Sequence, residues 1–156
     1  MRRQKIIFIF LISLVLIFPL STKAQVPLPP QISQTVTVEE VRQFVDEYKA
    51  RFMKMDLDAF MALFSKEAVE NRMLPFDDIR EAYRRTIAHS NSMIYNLKIY
   101  SIQTYTRSAF VRGRYEIIQS FKERRKGRGF GGDIQWDIVR ENGSLKIREV
   151  NYGRDR

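Results

Sequence analysis

Cysteine is absent from the 156 residues. That excludes disulfide frameworks, thiolate metal sites, thiol nucleophiles and a lipidated cysteine anchor. Histidine occurs once, at His89, which excludes a multi-histidine metal centre. No metal and no cofactor are therefore expected. Proline is scarce, and three of the five stand together at Pro27, Pro29 and Pro30. A long apolar run occurs at one place, Ile6 to Phe18, broken only by Ser13. Acidic residues are outnumbered, giving a net charge of +9. Beyond Ala24 the chain carries 23 basic and 18 acidic side chains, a net of +5. That surplus falls short of a nucleic-acid-binding surface, so nucleic acid is not an expected partner.

Residues 1–24 read as a signal peptide. Arg2, Arg3 and Lys5 form a positive start, the apolar run follows, Pro19 breaks it, and Thr22-Lys23-Ala24 offers small residues before a cut. A spanning helix needs about 20 apolar residues, so the run is short for a permanent anchor. The expected address is periplasmic or secreted, with an uncleaved membrane anchor as the alternative. Residues 25–35 read as an extended proline-rich spacer. Residues 36–156 are enough for one domain with one core.

Thr37-Val38-Glu39-Glu40 is a capping box. Val41, Phe44, Val45, Tyr48 and Phe52 then recur at helical spacing. Asp56 suits the cap of a short second helix with Phe60, Leu63 and Phe64 on its buried side. Ser65 to Pro75 reads as irregular. Asp77 suits the cap of a third helix in which Ile79, Ala82, Tyr83 and Ile87 share a face.

The period then changes to two. Leu97 and Ile99 fall out of phase with Tyr100 and Ile102, which predicts a β-bulge or bend. Ala109, Val111, Gly113, Tyr115 and Ile117 line one face of the next strand, and Thr106-Arg107-Ser108 is a turn before it. Lys122 to Gly132 reads as a basic, glycine-rich connector. Ile134, Trp136 and Ile138 alternate with polar residues, Asn142-Gly143 signals a two-residue hairpin turn, and Leu145 and Ile147 alternate after it. Helices followed by strands give an α+β class.

Three stretches, VRQFVDEYKARFMKMDLDAFMALFSKEAV, FDDIREAYRRTI and GDIQWDIVRENGSLKIREVNY, together resemble the nuclear transport factor 2-like superfamily, including its SnoaL-like members. The resemblance spans about Val38 to Tyr152 and departs from the common pattern at Asp77, where a glycine is frequent, and in the basic connector. It implies N-terminal helices packed in a curved antiparallel sheet, a cone-shaped α+β barrel with a pocket between helices and sheet. The superfamily hosts isomerases, cyclases, dehydratases and binding modules, so fold does not fix function.

The pocket candidates are Tyr48, Phe52, Tyr83, Tyr115 and Trp136, aromatic residues at core positions. An isomerase of this fold needs a carboxylate base in an apolar pocket and a hydrogen-bond donor for the enolate. Asp137 and Tyr48 could supply them, but strand alternation turns Asp137 away from the side of Trp136. The orientations of Asp137 and Glu116 therefore decide this reading. His89 near a helix C-terminus suits an interaction with the last carbonyls better than catalysis. Lys122, Arg124, Arg125, Lys126 and Arg128 are the densest charge cluster: a solvated connector, or an anion-binding site for an envelope component.

The first expectation is thus an exported binding or accessory domain with an apolar pocket rather than an enzyme. The alternatives are an isomerase- or dehydratase-type enzyme using a pocket carboxylate, and an envelope-interaction module acting through residues 122–128. The partners this allows are a small apolar ligand, another protein, an anionic envelope component, or a second copy through the outer sheet face.

Mass spectrometry of the exported protein is expected to find an N-terminus within a few residues of Gln25. An intact Met1 in the membrane fraction would convert the segment into an anchor.

Overall fold

The computed structural model describes residues 35–122 and 124–155. The expected signal peptide, and the spacer up to Gln34, lie outside the described residues. Val36 is buried, and its N–H donates to the Thr106 carbonyl at 3.3 Å. Helix α1 runs Val38–Lys54; the Thr37 side chain accepts from Glu40 N, and Met55 ends the helix in the left-handed conformation at φ 57°. Helix α2, Leu57–Met61, is capped by Asp56, whose carboxylate accepts from Ala59 N at 3.0 Å. Both starts follow their sequence signals, because a short side-chain oxygen satisfies an otherwise orphaned amide.

Ser65 to Pro75 is not irregular. It forms β1, Phe64–Glu70, and the two-residue β2, Leu74–Pro75, joined through Asn71 and Arg72 at φ 50° and 60°. The strand has no clean alternation: Phe64, Ser65, Ala68 and Glu70 are buried and the register slips between Phe64 and Val69. Helix α3, Phe76–His89, starts from Pro75 without a side-chain cap. Asp77 therefore stands within its first turn beside Asp78, not at its cap. Two carboxylates there still suit the positive end of the helix dipole.

The remaining strands are β3 (Ser90–Thr104), β4 (Ser108–Phe121), β5 (Arg124–Glu141) and β6 (Ser144–Tyr152). Together the strands make one curved six-stranded sheet in the order β2-β1-β6-β5-β4-β3. The sheet is not wholly antiparallel, because β1 runs parallel to β6. The expected bulge is present: the β3–β4 register slips between Ile99 and Ser101, leaving Tyr100 unpaired opposite Gly113 and Arg112. The two-residue turn is also present, with Asn142 at φ 48° and Gly143 at φ 82°.

The connector reading of Lys122 to Gly132 is overturned from Arg124 onward. Those residues continue β5, paired with β4 from Phe121↔Arg124 to Tyr115↔Gly132. Glycine there reflects close approach. A Cβ at Gly132 would collide with the carbonyl oxygen of Gly153, where the chain after β6 folds back along β5. Hydrogen bonds from Gly153 N to Asp133 O (3.0 Å) and from Asp155 N to Gly131 O (2.8 Å) hold that return.

The core lies between α1 and the inner face of the sheet. Tyr48 packs edge-on against Trp136 at 5.6 Å between centroids and tilted against Phe60 at 5.0 Å. Phe52 meets Phe60 at 5.4 Å and Tyr95 at 5.1 Å. Arg140, in phase with Trp136 and Ile138, is buried too, and Glu40 of α1 meets it with two hydrogen bonds of 2.7 and 2.5 Å. A buried guanidinium requires such a partner, and Arg140 in turn holds the Glu40 carboxyl below its usual range.

Trp136 is only 1% exposed. Trp136→Ala is expected to destabilise the domain by about 3–5 kcal/mol through lost burial and an unfilled cavity, as read by chemical denaturation. A denaturation midpoint that does not move would place the indole outside the cooperative core.

Candidate functional site

A cavity of about 170 Å³ opens between α1, α3 and the inner face of β3–β6. Of the aromatic residues expected to form it, Tyr48, Phe52, Tyr83 and Tyr115 line it. Trp136 does not. It stands behind Tyr48, its N–H close enough to favour the Tyr48 phenolate yet without a hydrogen bond of normal geometry. Two further tyrosines, Tyr95 and Tyr152, complete the polar part of the wall, and Ile117, Phe130 and Ile134 supply its apolar part. The α3 face carries Tyr83 and Thr86 to the opening, where both stay partly exposed.

The hydroxyls are neutral donors. Burial raises the pKa of Tyr48, Tyr83, Tyr95, Tyr115 and Tyr152, because a phenolate would lose its hydration there. Tyr115 Oη donates to the Gly153 carbonyl at 2.8 Å. Tyr152 Oη donates to Oε1 of Glu70. Glu70 thus stands one side chain behind the lining. It is 4% exposed, and its Oε2 has no hydrogen-bonding partner of normal geometry. Burial raises its pKa, offset in part by the hydroxyls of Tyr152 and Tyr83. A buried acid facing neutral phenols can accept or return a proton; a solvated one could not be tuned in this way.

Sequence reasoning missed Glu70 because its segment read as irregular. A weak signal existed: Glu70 shares the strand phase of buried Ala68. Its partner Tyr152 comes from the far end of the domain, which no local pattern reveals.

The other candidates fall elsewhere. Asp137 lies on the outer face and pairs with Arg148 at 2.5 Å, so it does not meet Tyr48. Glu116 is also outside, accepting from Asn96 Nδ2 at 3.2 Å. His89 is exposed, with Nδ1 2.7 Å from the Arg85 carbonyl at the end of α3, as its helix position suggests. Lys122 and Arg128 are exposed, and Arg128 lines a groove that borders the cavity at Thr86, Phe130 and Arg154. The side chains of Arg124, Arg125 and Lys126 lie outside the described residues. Among the described residues no three His, Asp or Glu side chains gather as a metal site, and no helix is long and apolar enough to cross a membrane.

No family model and no curated protein matches the chain. Solved structures do. A scytalone dehydratase-like protein from Novosphingobium aromaticivorans superposes with a TM-score of 0.68 at 13% identity, over 76% of this chain and 83% of that one. A nuclear transport factor 2-like superfamily protein from Salmonella enterica does so at 0.66 and 17%, over 76% and 90%. A ketosteroid isomerase-like protein from Erwinia carotovora atroseptica gives 0.63 and 16%, over 76% and 95%. Likeness at such low identity speaks for architecture alone, and the architecture of this chain is the nuclear transport factor 2-like fold.

Proposed function

We propose that the chain is an exported pocket domain that binds a small, planar, largely apolar molecule through its tyrosine-lined cavity. The observation that carries this is the composition of the wall. Phe52, Ile117, Phe130 and Ile134 supply apolar contact, and neutral tyrosine hydroxyls supply donors at fixed places. Such a site orients a ligand oxygen while burying a ring. Export rests on the N-terminal positive start and short apolar run.

A second reading, an enzyme that moves a proton, is favoured by Glu70. A ligand proton would pass to Tyr152 Oη as Tyr152 passes its own to Glu70 Oε1, leaving Glu70 neutral. The raised pKa of Glu70 makes its ionised form the stronger base. Dehydratase- and isomerase-like names among the structural neighbours agree with chemistry of this kind.

Calorimetry with one- and two-ring aromatic amides, phenols and ketones is expected to find binding that Thr86→Phe, which narrows the opening, weakens by at least about tenfold. Affinity unchanged by that substitution would remove the cavity as the site.

The acid has its own test. A carboxyl whose folded pKa is raised favours the native state below its unfolded pKa of about 4.3, and loses that contribution as pH rises through the folded value. Glu70→Gln keeps an acceptor for Tyr152 and cannot ionise. Its melting temperature should gain on that of the parent as pH rises from about 4 to about 8. Parallel pH profiles would show that Glu70 is not perturbed, and the proton-transfer reading would fall.

A further inference from the structure

The cavity does not end in neutral groups. Its mouth continues into a groove lined by Arg85, His89, Arg128 and Arg154, and the two spaces share Thr86, Phe130 and Arg154. Strand alternation builds this gradient. On the inner face of β5, Trp136 and Ile134 are followed outward by Gly132, Phe130 and then Arg128, so the wall passes from apolar to cationic. Arg154 arrives from the returning segment after β6 and lies over the Phe130 ring, 5.2 Å from its centroid. Stacked there, the guanidinium keeps its hydrogen-bonding edge available.

These charges are not already neutralised. Among the described residues neither Arg128 nor Arg154 has a salt-bridge partner. The Nε of Arg85 is 3.9 Å from Glu81, but that carboxylate is already bound by Arg84 with two bonds of 2.7 Å. Among the described residues no aspartate or glutamate lines either the cavity or the groove. Like charges gathered at the rim of a low-dielectric cavity repel one another, and an anion placed between them relieves that repulsion. Planar guanidinium groups match a carboxylate in particular.

Resting on the pocket reading above, we propose that the ligand is a small aromatic carboxylate. Its ring enters the tyrosine cavity, and its carboxylate sits at the mouth between Arg128 and Arg154. The site then discriminates acids from isosteric neutral amides, which the tyrosine wall alone would not do.

Calorimetry with two matched pairs tests this: cinnamate against cinnamamide, and 2-naphthoate against 2-naphthamide. At low salt the parent is expected to bind each acid about tenfold tighter than its amide. The ratio should fall toward one in about 1 M salt, where charges are screened beyond about 3 Å. The double variant Arg128→Gln with Arg154→Gln should bring the ratio of acid to amide affinity to about one. Arg128→Lys with Arg154→Lys should retain most of it, which separates charge from a merely structural role. Circular dichroism checks that both variants fold. Equal affinity for acid and amide in the parent would overturn the carboxylate while leaving the pocket intact. A preference that survives the glutamine pair would overturn the role of these two arginines. Binding of none of the four probes would fell the pocket reading and this one with it.

Discussion

The contact on which the domain depends is the edge-on packing of Tyr48 and its neighbours on α1 against the inner face of the sheet, with Trp136 at its centre. A curved sheet exposes a concave apolar surface that water would penalise, and one helix is its filler. Helix α1 brings Val41, Phe44, Val45, Tyr48 and Phe52 to that surface, all buried. Helix α1 meets the sheet at Arg140 through Glu40, and its Tyr48 and Phe52 reach the cavity that α3 closes from the other side. The same arrangement that stabilises the core therefore leaves room for a cavity. Tyr48 belongs to both, packed against Trp136 and lining the cavity.

Charge is distributed with the same economy. Several ion pairs, such as Arg80 with Asp58 and Arg84 with Glu81, sit on exposed helix faces and contribute little. Two acids are different: Glu40 is half-buried over a buried guanidinium, and Glu70 is buried outright. Glu40 is held ionised by Arg140, and Glu70 is held by phenols that carry no charge. A cation lowers a carboxyl pKa and burial without one raises it. The two glutamates thus occupy opposite regimes, one fastening α1 to the β5–β6 turn and the other poised behind the cavity wall.

Local signals carried far in this chain. Alternation around Trp136, the Asn142-Gly143 turn, the phase slip at Tyr100 and the caps at Thr37 and Asp56 each depend on a few adjacent residues, and each was legible in the sequence. What was not legible depended on distant partners. Strand β1 lacks alternation because it is buried against β2, β6 and α3 and slips register. Glycines of 127–132 read as a loop, yet they admit a neighbouring strand and the returning segment after β6. Four of the cavity-lining aromatics were readable from burial phase. Tyr95, Tyr152, Glu70 and Arg154 were not, since each reaches the site through partners far off in the chain: Tyr95 against Tyr48 and Phe52, Arg154 over Phe130, and Glu70 with Tyr152 once β6 docks beside β1.

That docking has a kinetic side. The hairpins β3–β4, β4–β5 and β5–β6 join neighbours in the chain and can close early. The parallel pairing of Phe64 with Ile147 and of Glu70 with Val150 spans most of the domain. Loop-closure entropy must be met before such a contact contributes, so non-local pairing is slow and belongs late in folding. Until it forms, Glu70 and Tyr152 are strangers. In a chain whose meander alone had closed, the interior acid would still be in water, and the cavity wall would lack the carboxyl behind it.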